Sequence, residues 1–530
     1  MKKPSTDTGK IARSAGTVSV AVMCSRVLGL VREQVFAIMF GAGFAYDSFV
    51  VAFRIPNLLR DLFGEGALSS AFVAVFTEYD ETRGEEATWK LAGNVLVFIA
   101  VLLSIITLLG IVFAKPIIML LAPHYAKVAG KVELTRLLTV IMFPFLVFIS
   151  LSAVVMGILN TKGRFFIPAM ASSFFNVGSI VGGVGLAFVF PRFGQPAIMG
   201  MAVGTLIGGL LQLSGQLPAL FRAGFAFRPR LDLGDPGLRK VLRLMVPAVV
   251  GLSATQINIF INTNFASSLQ QGSVSWLNYA FRLVQFPIGV FGVAVSVATL
   301  PVISRYAANK DFTSLKETYV SAQTMGFVLT IPATVGLYML AEPIVRVIFQ
   351  HGVFTSFDTA RTAEALAFYS LGLCAYSAVK IIVPVFYALN DTRYPVIGSF
   401  LAVCANIVTI LLTIGRFQHR AIALSTSCSM AFDFLFLSVA LYRKISGYSL
   451  AYLFNGLGKV LAASALMGAW LAFFSPWLSA RIGQGTLGGL VGLLLSIGSS
   501  AVLYGGLLYM LRLKELAVIT EKIGARLRHG

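Results

Sequence analysis

The chain has 530 residues, of which 57% are hydrophobic and 12% charged, with a mean hydropathy of +0.83 and a formal net charge of +20. That balance excludes a soluble enzyme or a nucleic-acid-binding domain and leaves a protein immersed in lipid. The excess of Lys and Arg then reads as topological bias and attraction to anionic membrane lipids.

A run of about 20 apolar residues crosses a hydrocarbon core about 30 Å thick. Such runs recur along the chain, and because they are continuous they predict helices, not the alternation of barrel strands. The first predicted span, 15–40, follows the basic start Lys2, Lys3, Lys10 and Arg13 without a small-residue cleavage site, so it is expected to stay attached. The second, 46–76, carries charge. Spans at 91–114, 137–159, 166–190, 197–221, 244–266 and 277–303 follow, the last again charged. The series continues at 317–341, 363–388, 395–415 and 421–442 and closes with 460–478 and 487–511. The expected fold class is an all-α polytopic membrane protein of about fourteen transmembrane helices. With the N-terminus inside, 26 of the 42 cations fall on the inner side, 10 on the outer side and six within spans, which places both termini in the cytoplasm.

One internal echo bears on domain organisation. AFRIPNLLRDLFGEGA from Ala52 and AFRLVQFPIGVFGVAV from Ala280 share Ala-Phe-Arg, and both place Phe-Gly nine residues after the Arg, at an offset of 228 residues. Six helices lie between them, so the chain returns in the same direction, which predicts a parallel repeat of two six-helix lobes. The expected domains are an N-terminal lobe, 1–222, a C-terminal lobe, 223–445, and a helix pair with a cytoplasmic tail, 446–530. Gly200, Gly204 and Gly208 form a small-residue seam suited to close helix approach. Pro144, Pro247, Pro287, Pro332 and Pro384 interrupt spans and are expected to kink them. EPIVRVIFQHGVF from Glu342 and KELAVITEKIGARLRH from Lys514 read as amphipathic interfacial segments. Cys24, Cys374, Cys404 and Cys428 fall in spans at no ligand spacing and read as packing residues, while the four histidines form no cluster, so neither a metal nor a cofactor is expected.

The informative residues are the cations Arg26, Arg32, Arg54, Arg60, Arg282 and Lys380, each within or beside a predicted span. A cation at that depth costs several kcal/mol and normally faces a bundle interior or a wet cavity. Ser25 and Arg32 share one face of the first helix, and Arg26 and Glu33 the next. In the second, Arg54, Asn57, Asp61 and Glu65 form a stripe, with Arg60 projecting elsewhere. Arg282 repeats Arg54, Asn278 lies one turn before it, and Asp433 is either a partner for Lys380 or an ion site of its own. Arg meets phosphate oxygens in pairs and keeps its charge when desolvated, so the set points to a phosphate or pyrophosphate ligand. Structural pairs, Arg26–Glu33 and Arg54–Asp61, are the alternative for individual residues.

SRVLGLVREQVFAIMFGAGFAYDSFVVAFRIPNLLRDLFGEGALSSAFVAVF from Ser25 resembles the signature of the MurJ (MviN) lipid II flippases, within the multidrug/oligosaccharidyl-lipid/polysaccharide exporter superfamily. The likeness continues through NYAFRLVQFPIGVFGVAVSVATLP, EPIVRVIFQHGVF and VKIIVPVFYALNDTRYPV. It implies a transporter in the bacterial cytoplasmic membrane, not an enzyme. Its substrate would be lipid II, undecaprenyl-pyrophosphoryl-MurNAc-pentapeptide-GlcNAc, carried from the inner to the outer leaflet for cell-wall synthesis. The cell-wall synthesis machinery is a candidate partner. The resemblance puts cavity arginines at Arg26, Arg32, Arg60 and Arg282, a periplasmic gate residue at Asp47, expected to approach Arg32, and the helix-two motif at Asn57 and Glu65. Gln285 stands where the family often has an acid, and Asn262, Asn406 and Ile410 stand near its sodium carboxylates, so sodium coupling is not expected. The membrane potential, worth about 2.3 kcal/mol per charge per 100 mV, is the expected drive. The rivals are a sister exporter of other polyprenyl-linked glycans or drugs, and a glycosyltransferase or acyltransferase acting on the same lipid. The latter needs a DxD or HxxxxD motif that the sequence lacks.

Overall fold

The computed structural model describes residues 7–63, 66–482 and 485–513. Every regular element among them is helical. Two compact units meet in sequence between Ser275 and Trp276.

The first unit starts with α1 (Asp7–Phe40). Gly41, at φ +59°, turns the chain into α2 (Phe44–Phe63), since a left-handed residue is cheapest without a Cβ. Then come α3 (Ala67–Thr82), α4 (Glu85–Val112), α5 (Ala114–Leu121), α6 (Lys131–Met142) and α7 (Phe145–Thr161). Pro144 separates the last two, because it has no N–H for the helical ladder. The unit continues with α8 (Phe166–Val189), α9 (Ile198–Ser214), α10 (Leu217–Phe221) and α11 (Pro236–Ser267). Asp235 caps α11 by accepting from Leu238 N at 2.8 Å, with Pro236 at the first helical position. Phe72, Phe76, Leu91, Val95, Leu146, Ile158 and Leu238 join α3, α4, α7 and α11 in one core. The glycine seam is realised between α8 and α9: a Cβ on Gly204 would lie 2.4 Å from Gly183 Cα. The packing boundary differs from the repeat boundary expected near residue 222, because α11 buries a face on α3.

The helix α12 (Ser273–Pro287) leads into a π-helical turn, Ile288–Gly292, and α13 (Val293–Ala308). The second unit continues through α14 (Phe312–Met339), α15 (Ala341–Phe349), α16 (Ser356–Ser370) and α17 (Leu373–Ala388). It ends with α18 (Arg393–Phe417), α19 (His419–Lys444), α20 (Leu450–Ile482) and α21 (Thr486–Met510). Tyr319, Phe327, Ile382, Phe386, Leu437, Val460 and Leu508 tie α14, α17, α19, α20 and α21 together. In the second of the two echoed segments, the π-turn contains Phe291.

Among the described residues, eleven helices are long and apolar enough to cross a membrane, or twelve with α16 and α17 as one span bent by 42°. The first two of the fourteen expected spans fall on α1 and on α2–α3, which are helical but outside that set. Asp47, Arg54, Arg60 and Asp61 crowd the twenty residues of α2, more charge than an apolar span carries. Pro247, Pro332 and Pro384 sit inside continuous helices, so only Pro144 and Pro287 coincide with a change of helix. Cys24, Cys404 and Cys428 are exposed, not packed. The segment from Glu342 does form a helix with one buried face, Ala341, Val345 and Phe349. The tail from Lys514 lies outside the described residues.

Candidate functional site

In α1, Arg32 donates to Glu33 Oε1 at 2.9 Å, and Glu33 Oε2 accepts from the Tyr46 hydroxyl at 2.6 Å. Arg32 Cζ lies 5.2 Å from the Phe175 ring centroid, a cation–π contact from α8. The next residue, Asn176, donates to the Ser25 carbonyl at 3.2 Å and so holds α8 against the start of the cationic stretch. Arg26 is half-buried, with no ion pair among the described residues. The expected Arg26–Glu33 pair is therefore replaced by Arg32–Glu33. Helical spacing aligns Cβ directions, but the long Arg stem reaches an adjacent carboxylate.

In α2 the correction is the same. Arg60 donates to Asp61 Oδ1 from Nε at 3.1 Å and Nη2 at 2.8 Å, and Gln256 of α11 donates to Asp61 Oδ2 at 3.3 Å. Asp61 is thus held by Arg60, where Arg54 was expected. Arg54 and Asn57 are half-buried on the same helix. Glu65 lies outside the described residues.

Asp47 does not meet Arg32. Its Oδ2 pairs with Lys131 Nζ at 2.9 Å and accepts from Gly272 N at 2.8 Å. Its Oδ1 accepts from Ser275 N at 3.0 Å and Ser275 Oγ at 2.6 Å. Both ionic side chains are 3% exposed. The Tyr125 ring lies 4.3 Å from Lys131 Nζ, and the Tyr125 hydroxyl donates to the Asp47 carbonyl at 3.2 Å. Asp47 therefore caps the start of α12, where free N–H groups and the helix dipole favour a negative charge, while Lys131 balances it. Ser275 is 228 residues after Asp47, the offset of the Ala-Phe-Arg echo. Lys131 was missing from the sequence reading. It reads there as a loop cation, and nothing local marks a partner 84 residues away.

In the second unit Arg282 and Lys380 are exposed. Arg282 Nη1 is 3.5 Å from Gln285 Oε1, at the outer limit of a hydrogen bond. Lys380 has no ion pair among the described residues, and Asp433 is not its partner. Trp276 donates from Nε1 to Asp358 Oδ1 at 2.9 Å, and Asp358 Oδ2 accepts from Thr355 N and Oγ1 at 3.0 and 2.8 Å in a capping box at the start of α16. His419 is the first residue of α19, with its ring 5.3 Å from that of Trp276.

Repeated apolar helices with guanidinium groups held among them define a polytopic membrane transporter. Solved structures agree on the fold. One titled "Lipid II flippase MurJ, inward closed conformation" matches with a TM-score of 0.76 and 27% identity, covering 93% of this chain and 99% of that one. An inward-facing multidrug resistance MATE family transporter of the MOP superfamily matches at 0.64 and 16% identity over 79% and 98%, a likeness of fold alone. The family profile described as "Lipid II flippase MurJ" matches residues 36–488. The probable lipid II flippase MurJ of Vibrio cholerae serotype O1 is 37% identical, covering 97% of this chain and 98% of its own length. The lipid II flippase MurJ of Burkholderia cenocepacia is 34% identical over 88% and 92%. The chain belongs to the MurJ family of lipid II flippases. It is a multi-pass membrane transporter with lipid II flippase function, not an enzyme.

Proposed function

We propose that the chain moves lipid II from the inner to the outer leaflet of the bacterial cytoplasmic membrane by alternating access, with both termini in the cytoplasm. Arg26, Arg32, Arg60 and Arg282 hold the pyrophosphate, and Ser25, Arg54, Asn57 and Lys380 line the path of the headgroup. The lobes 1–222 and 223–445 rock about this site while the polyprenyl tail stays in lipid beside the terminal helix pair 446–530. The cell-wall synthesis machinery receives the product.

The observation that carries this reading is the charge balance of α1 and α2. Between Arg26 and Asp61 the chain carries four arginines and three carboxylates, Glu33, Asp47 and Asp61, and Asp47 is spent on Lys131. A desolvated surplus of guanidinium groups is suited to a pyrophosphate that brings about two negative charges. Glu33 and Asp61 act as placeholders that release their arginines when the stronger anion arrives. Asp47 acts as the periplasmic gate through Lys131 and the start of α12, not through Arg32. The drug-exporter alternative is disfavoured by the family match.

The deciding experiment depletes the protein and measures on which leaflet lipid II accumulates. Accumulation on the cytoplasmic leaflet, relieved by the wild-type chain but not by inserted Arg26→Ala, Arg32→Ala, Arg60→Ala or Arg282→Ala, is expected. Full relief by all four variants sinks the assignment. A potassium diffusion potential in proteoliposomes tests the drive: lipid II export follows the potential with or without sodium, and export that needs sodium and ignores the potential refutes it.

A further inference from the structure

In the second unit, Asp433 is the fifteenth residue of the 26-residue α19. It lies about 21 Å along that helix, near the middle of a segment apolar enough to span the membrane. It is 4% exposed, and its Oδ1 has no hydrogen-bond partner among the described residues. The carboxyl is pressed onto the backbone of α18, where a Cβ on Gly398 would lie 2.4 Å from Oδ1. Glycine is what makes room for it.

Charge does not come to it from its surroundings. The elements packed against α19 are α16, α17, α18 and, through the Phe327–Phe434 rings, α14. Their charged groups are Asp358, Arg361 and Glu364 on α16, Lys380 on α17, Arg393 and Arg416 on α18, and Lys316 and Glu317 on α14. On α19 itself they are His419, Arg420, Arg443 and Lys444. Glu364 engages Arg361, His419 and Arg420, and Lys444 engages Asp391. None pairs with Asp433 among the described residues.

An ionised carboxylate with one oxygen buried and without a donor is disfavoured inside an apolar span, and such a group is stabilised by holding a proton. A metal ion would require several more oxygens around it, and no grouping of three or more His, Cys, Asp or Glu exists among the described residues. We propose that Asp433 is a proton-binding site, loaded in this conformation and unloaded when the α18–α19 seam opens to water during the transport cycle. The step is a simple protonation: a proton from the aqueous phase forms the O–H bond of the acid, and no electrons move. The coupling to transport rests on the flippase reading, whereas the occupancy of the site does not.

The test uses the full chain in proteoliposomes. Infrared difference spectra at pH 7 are expected to contain a protonated-carboxyl band that is lost in Asp433→Asn and displaced in Gly398→Ala. Both variants are checked for folding by thermal melting. Asp433→Asn mimics the neutral acid, so its melting temperature should match the wild type. Lipid II flipping should vary with pH in the wild type, by at most about tenfold per pH unit for a single group, and be flat in Asp433→Asn. Absence of the band overturns the site. A band present only without sodium reassigns it to that cation and overturns the proton. The same pH profile in wild type and variant overturns the coupling. If the wild type flips no lipid at any pH, the flippase reading fails, and the infrared arm alone still decides the site.

Discussion

The two units place different chemistry at their helix ends. In the first, the carboxylate at the start of α2 is buried with a lysine and caps α12, a fully satisfied ionic clasp. In the second, the start of α12 offers Trp276, which makes one hydrogen bond to an Asp358 already engaged in a capping box. The helix hairpins diverge in the same way. Between α8 and α9 glycines meet backbone to backbone, whereas between α18 and α19 a glycine faces a carboxyl. Helix packing sets where helices start and touch, and the side chains decide whether the contact is ionic or neutral, rigid or titratable. The difference shows which unit carries fixed charge and which carries a group able to change it.

The sharpest way to break the comparison is to remove one partner of the ionic clasp. Asp47→Ala or Lys131→Ala leaves a buried charge and should cost about 3–5 kcal/mol, read as a large drop in melting temperature of the purified protein. The double variant should lose much less than the sum of the two, and additive losses would deny the coupling. Trp276→Phe should be milder, about 1–3 kcal/mol for the unmatched Asp358 oxygen, and a loss as large as that of Asp47→Ala would erase the contrast.

The hairpins give a second pair. Gly204→Ala drives a methyl into the backbone of Gly183 and should destabilise by about 1–3 kcal/mol. Gly415→Ala in α18 meets nothing within 4 Å and should be neutral or stabilising by up to about 1 kcal/mol, since Ala is the better helix former. Equal melting temperatures for these two variants would refute the difference in packing.

The smallest effect concerns the Asp391–Lys444 pair beside the loop after α17, 2.5 Å long. The hydrogen bond from Lys444 holds the Asp391 carboxyl below its ordinary value. Its contribution is therefore present above about pH 4, the unfolded carboxylate range, and is lost as pH falls below it. Melting curves of Asp391→Asn and wild type should differ at pH 6 and converge toward pH 3. A gap that widens on acidification would reverse the sign.

Much of this was written locally in the chain. Hydropathy marked where helices run, because a backbone in lipid must bond to itself. The Ala-Phe-Arg echo suggested a repeat from the sequence alone. The cations of α1 and α2 were legible as anomalies in apolar surroundings. Their partners were not. Spacing suggested Arg26–Glu33, Arg54–Asp61 and a contact of Arg32 with Asp47, and the folded chain chose Arg32–Glu33, Arg60–Asp61 and Asp47–Lys131. Periodicity and composition are properties of one helix, whereas an ion pair is settled by which helix ends meet across 84 or 225 residues of chain. The same holds for Asp433: the sequence supplies an acid in a span, and only the approach of α18 at Gly398 buries its Oδ1 without a donor.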